Sequence, residues 1–267
     1  MTLAQNPPIS PDIAELVASE GIMMPPGNLE SDEPELESDL HRELIELLLA
    51  CLKWHWRDRT DYYATGNLTI FYSSDRITTR DFRGPDFFVV LGTENRSRRS
   101  WMLWEEEGKY PNLIVELLSN STARVDRTTK KELYQNTFRT PEYFWFHPDT
   151  LEFAGFELVK SEYQPIEPTT QGRLWSRQLE LFLGIHESKL RFFTPEGELV
   201  PTPAERAAAA EQQAQAAEQQ AQAAEQQAQA ARQEAGLERQ QREAAERELE
   251  ALRSQLQALG VDPDTVE

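Results

Sequence analysis

LIVELLSNSTARVDRTTKKELYQ, residues 113–135, turns on a single acid. Glu116 interrupts an otherwise unbroken apolar run from Leu113 to Leu118. Runs of this kind form strands covered on both faces, where an ionised carboxylate is costly unless something compensates it. The stretch predicts a strand over 112–118 and a helix over 126–138, and it raises the question of what neutralises Glu116.

Periodicity supplies a candidate. Residues 130, 133, 134, 137 and 138 share one side of a helix, with Leu133, Tyr134 and Phe138 as its apolar members. Lys130 falls near the centre of that stripe and Lys131 toward its edge. An inward lysine needs an anionic partner, and Glu116 is the nearest in sequence. Asp126, four residues before Lys130, reads as a helix cap or a lysine-positioning group rather than a ligand. Upstream, Asp86 opens the apolar strand DFFVVLG (86–92) directly after Pro85, which has no N–H to pair at the strand entrance.

Two carboxylates at strand positions with a lysine close by suit metal-assisted phosphodiester hydrolysis. Asp86 and Glu116 would hold a hard cation such as magnesium or manganese through oxygen ligands. That cation would polarise the phosphoryl oxygen and acidify a bound water. The Lys130 ammonium would orient the water or stabilise charge in the transition state. The same spacing also fits a plain buried Glu–Lys pair beside a strand-capping aspartate, and from spacing alone the pair stands slightly ahead. A carbohydrate-hydrolysing carboxylate pair is a third reading, disfavoured by the inward lysine.

The chain of 267 residues carries a formal net charge of −19, concentrated in its two ends, while residues 41–200 are close to balance. Such acidity argues against nonspecific binding to a polyanion. The cluster Arg96, Arg98 and Arg99 reads as a solvated loop before a phosphate-steering patch. The single cysteine, Cys51, lies in LIELLLACL and reads as a buried small hydrophobe. With no disulfide possible within the chain, no basic-then-apolar leader and no membrane-length apolar run, the expectation is a cytoplasmic protein.

Along the chain, residues 1–36 read as an acidic arm and linker, with one short helix in SPDIAELVASEG. A longer helix is expected from Asp39 to Trp56, with Leu40, Leu44, Leu47, Leu48, Cys51 and Leu52 on its inner face. Strands are expected at 67–73, 86–92, 112–118, 142–148 and 151–159, an irregular or short helical connection at 100–111, and a closing helix or strands after Arg173. The order implies an α/β fold with a mixed sheet flanked by helices over residues 37–200. His41 reads as helix surface polarity, with an approach to the Glu116 site as the lesser reading. His55, His147 and His186 show no zinc spacing. The six tryptophans read as core or interface packing.

After Pro203 the heptad EQQAQAA occurs three times in tandem from Glu211 to Ala231. Taking Ala207 as a and Ala210 as d, one register runs through the alanines, crosses Glu238 and Arg242, and becomes Leu249, Leu252, Leu256 and Leu259. This predicts a long coiled-coil helix over 204–260 that self-associates, followed by a 261–267 tail. A single exposed helix held by alanine propensity is the alternative.

The phrases RGPDFFVVLG, PNLIVELLSNSTARVDRTTKKELYQ and TPEYFWFHP resemble the Uma2 family, restriction-endonuclease-like proteins of the PD-(D/E)XK superfamily. The family's proline-aspartate motif falls on Pro85-Asp86, and its E-x-L-S phrase on Glu116, Leu118 and Ser119. The superfamily's usual E-x-K lysine position is Leu118 here; in this resemblance the lysine comes from the next helix, in Asp126-x-x-x-Lys130. The resemblance implies a magnesium-dependent nuclease fold acting on DNA, with Asp86, Glu116 and Lys130 as its catalytic set. The rival expectation is a protein that keeps this fold for binding or scaffolding without turnover.

Overall fold

The structure, a computed structural model, describes residues 38–72 and 82–258, less the side chains of 256 and 257. The acidic arm with its short helix, the end of the expected 67–73 strand and the 261–267 tail lie outside those residues. Among the described residues, no helix is long and apolar enough to cross a membrane.

Helix α1 (Asp39–His55) starts where the Ser38 hydroxyl accepts from the His41 backbone N–H at 3.3 Å, satisfying one orphan donor of the first turn. It buries His41, Leu44, Ile45, Leu48, Cys51 and Leu52, a continuous three- and four-residue stripe. Leu40 is exposed, and His41 takes the inward place expected for it.

A six-stranded mixed sheet carries the domain. Its strands are β1 (Tyr62–Thr65), β4 (Phe87–Leu91), β6 (Leu113–Leu117), β7 (Glu142–Phe146), β8 (Phe153–Val159) and β9 (Glu162–Pro165), adjacent in that order. Within this sheet only β6 and β7 pair in parallel. Strands β2 (Ile70–Phe71), β3 (Phe82–Arg83) and β5 (Trp101–Met102) make a small second sheet. Strands β10 (Leu174–Ser176), β11 (Leu181–His186) and β12 (Lys189–Phe193) make an antiparallel third.

Two cores follow from the alternation of side chains along each strand. Val115 and Leu117 face α1 and the third sheet, joining Leu48, Phe87, Phe144, Leu181 and Phe192. Ile114 and Leu118 point the other way, with Phe88, Tyr134, Tyr143 and Trp145. Glu116 shares their parity, so its carboxylate enters the second core, on the side of the helix that follows β6.

That helix, α2 (residues 123–138), is not uniform. It is π-helical at Asp126–Lys130 and at Tyr134–Phe138, with α-helical turns before and between. Wider turns bring residues four apart into line. Asp126, Tyr134 and Phe138 are buried and Lys130 lies on the same line, whereas Thr137 is exposed and Leu133 only half-buried. The helix ends at Arg139 in the left-handed conformation (φ 51°, ψ 38°), where Thr140 N–H bonds back to Tyr134 O at 2.9 Å.

The strand readings at 86–92, 112–118, 142–148 and 151–159 hold, each a residue or two shorter. The 100–111 connection contains β5, and the segment after Arg173 closes with strands rather than a helix. Strands of two residues show no period that a sequence could display.

The chain divides into two units between Ala204 and Glu205. The described part of the second belongs to a 56-residue helix, α3 (Pro203–Ala258), exposed at every described side chain from 211 onward.

Candidate functional site

Three segments converge beside the buried end of β6. Glu116, fully buried, accepts at Oε1 from the Tyr134 hydroxyl (2.7 Å) and at Oε2 from Lys130 Nζ (3.1 Å). The Asp86 backbone N–H points to the same Oε2 from 3.4 Å. Pro85 leaves the entrance of β4 unpaired, so the Asp86 side chain takes over as ladder partner: its Oδ2 accepts from Leu117 N–H at 2.7 Å. Asp86, Glu116 and Lys130 thus lie together, although distant in sequence.

Asp126 does not cap its helix. It is 1% exposed inside the first π-turn, with Lys130 Nζ 2.7 Å from Oδ1. That ionic contact is not aligned as a hydrogen bond, and Oδ1 has no other partner. Lys130 therefore bridges two acids, and the Tyr143 hydroxyl secures the turn by donating to Asp126 O at 2.9 Å.

The electrostatics follow from burial. Desolvation pushes the Glu116 carboxyl up to about 7; Lys130 opposes that rise and the neighbouring Asp86 adds to it. Asp86 and Asp126 are raised as well, chiefly by burial and against the pull of Lys130. For Lys130, burial acts downward, but Glu116, Asp126 and Asp86 outweigh it and raise its pKa. Three acids face one ammonium, which leaves an excess of negative charge in a desolvated place. Among the described residues, no three His, Cys, Asp or Glu side chains form a ready ligand set. A cation here would have two carboxylates to rest on, a donor set compatible with a hard ion that keeps waters and substrate oxygens in its shell. The surplus of acids over the single ammonium fits such a cation.

Sequence reasoning missed two members of the neighbourhood. Tyr134 counted as an apolar stripe residue, but its hydroxyl holds Glu116; a tyrosine one turn after an inward lysine was the available signal. His41 is buried rather than surface polarity. Its Nε2 lies 3.1 Å from Leu117 O and its Nδ1 2.9 Å from Ser38 Oγ. A carbonyl only accepts, so Nε2 carries the proton and donates. His41 thereby holds the carbonyl of the residue whose N–H holds Asp86.

The arginine cluster is only in part a solvated loop: Arg99 is exposed, but the Arg98 side chain is buried and bonded to both Glu106 oxygens (2.6 and 2.9 Å). Its guanidinium lies beside the stacked Tyr63 and Trp101 rings, 4.5 and 4.7 Å from their centres. Arg96 joins the same Glu106 at 2.7 Å. His55 and His186 are exposed, and His147 is buried against its own turn, accepting from Asp149 N–H at 3.3 Å. Trp56, Trp101 and Trp145 pack in the cores.

Over residues 24–188 the sequence matches the Uma2 family, described as "Putative restriction endonuclease". A comparison with curated proteins finds no match. Among solved structures the chain is similar to the crystal structure of a putative nuclease belonging to DUF820 from Anabaena variabilis ATCC 29413. The identity is 13% and the TM-score 0.38, over 55% of this chain and 76% of that one.

Proposed function

This chain belongs to the Uma2 family of putative restriction endonucleases, and on that premise we propose that residues 37–200 form a metal-dependent endonuclease domain of the PD-(D/E)XK type that hydrolyses phosphodiester bonds of DNA. The observation that carries the reading is the convergence of Asp86, Glu116 and Lys130 in one buried, acid-rich cluster.

Asp86 and Glu116 would hold the cation, magnesium or manganese. When bound, it polarises a phosphoryl oxygen and lowers the pKa of a coordinated water. Tyr134 keeps Glu116 in one rotamer, and Leu117 N–H does the same for Asp86. Lys130, its pKa raised by three acids, stays protonated and cannot serve as the base. Its ammonium instead orients the attacking water by hydrogen bonding and offsets charge on the phosphoryl oxygens. Asp126 keeps that ammonium beside Glu116.

The test is a divalent-metal cleavage assay over several DNA forms, paired with calorimetry of magnesium and manganese binding. Glu116→Ala and Lys130→Ala should lose cleavage while remaining folded, and Asp86→Asn should lose cation binding. Wild-type cleavage rates in both alanine variants would remove this mechanism.

A second reading, a binding or scaffolding protein on the same fold, is favoured by one feature. Lys130 already neutralises Glu116 at 3.1 Å without any metal. Under that reading, magnesium titration shows no site dependent on Asp86. In either case residues 204–260 are the assembly element through which the chain self-associates.

A further inference from the structure

We propose that α3 is one half of a parallel, in-register, two-stranded coiled coil formed with a second copy of this chain. The proposal deepens the assembly role given to residues 204–260, and it is independent of the nuclease chemistry.

The helix leaves a face uncovered. Leu249 and Leu252, successive a and d positions, are 51% and 54% exposed. Several pairs within the helix stand off the seam: Gln222 with Glu218, Gln229 with Glu225, and Arg239 with Glu243. They support the helix without covering its leucines. A heptad kept in one phase from Ala207 to Leu252 directs that face at a partner helix.

Charge says which partner, and in which direction. In a parallel in-register pair, each g position faces the e position five residues later on the other chain. Those pairs are Arg206–Glu211, Glu234–Arg239 and Glu248–Arg253, all attractive. Gln213, Gln220, Gln227 and Gln241, also at g, set a neutral amide against a charge. No like charges meet at these e and g positions; inside the seam Glu238 faces Glu238 and Arg242 faces Arg242. An antiparallel pair with full overlap keeps Glu211–Arg253 and Glu225–Arg239 attractive but sets Arg232 against Arg232, Glu234 against Glu234 and Glu218 against Glu246. It also packs the leucine end against alanines.

The polar interruption of the seam is a cost in either direction. In the parallel pair, Glu238 faces Glu238 and Arg242 faces Arg242 in adjacent layers, and each Glu238 lies one layer from the other chain's Arg242, an attractive contact that symmetry makes twice. In the antiparallel pair, Glu238 faces Ala228 and Arg242 faces Ala224, which leaves both charges against methyl groups. A charged layer at the seam is a register device, tolerated best where two strands leave its edges wet.

The arrangement has a consequence through connectivity alone. Each rod begins at Pro203, directly after the first unit, so parallel strands start both copies from the same end. Antiparallel strands would separate those starts by about 80 Å at 1.5 Å per residue.

The experiment uses the full chain. Sedimentation equilibrium should give twice the chain mass. Ala245→Cys, at a d position, should then form a disulfide-linked dimer with oxidised glutathione, while the wild type, with Cys51 buried, should not. Arg253→Glu should raise the dimer dissociation constant about fivefold, and Glu248→Arg in the same chain should restore it. A monomer overturns the assembly role and this proposal together. A dimer whose Ala245→Cys variant does not cross-link overturns the parallel register and leaves self-association standing. A trimer or tetramer overturns the two-stranded state.

Discussion

Glu116 is held at a cost that its own titration reveals. Its carboxyl is pushed to about 7 from an ordinary 4.5 by burial. The folded state therefore binds this proton more tightly than the unfolded chain does. Its contribution to stability is complete below pH 4.5 and is lost as pH rises through 7. Glu116→Gln removes the titration, so the variant should gain on the wild type between pH 5 and 8 by up to about 3 kcal/mol. Thermal unfolding across that range checks it. Magnesium should close the gap at pH 8 by stabilising only the wild type, if the cation binds there. Tyr134→Phe deletes one of the bonds that favour the ionised acid. It should cost about 1–3 kcal/mol and move the Glu116 midpoint upward, which NMR titration of the carboxyl would show.

At the scale of the elements, the site depends on how closely α1 and the entrance of β4 approach the turn after β1. A side chain on Gly66 would place its Cβ 2.2 Å from Ile45 Cγ2 and 2.7 Å from Asp86 O. Gly66→Ala must therefore shift the helix or the strand entrance. It should lose about 1–3 kcal/mol of stability and weaken cation binding more than an alanine at exposed Glu132 does; paired unfolding and calorimetry separate the two effects. The strands around this joint differ in how well sequence announces them. β4 and β6 are legible because they are apolar runs with Gly-Pro or Pro-Asn ahead of them. The inward aim of Lys130 is legible from three- and four-residue spacing. The π-turns that align Asp126, Lys130 and Tyr134 are not, because that spacing assumes α-helical turns. His41 is hidden for a different reason: a histidine beside Glu43 looks like surface until β6 is known to end against it.

For the whole molecule, the two units answer to different forces. The first is held by two apolar cores, the second by alanine propensity and by whatever covers its leucines. Heating should produce two losses of structure: an early one in far-UV helicity that moves upward with protein concentration, and a later one in tryptophan fluorescence that does not. A single concentration-independent transition would show that the rod has no partner of its own kind. One edge of the large sheet bears on where such association stops. β9 lies outermost, exposes Glu162 and Gln164, and ends in Pro165. A proline offers no N–H to an incoming strand and the charge repels one. That margin resists strand-by-strand polymerisation, so a domain concentrated by its own tether stays discrete instead of seeding fibrils along β9.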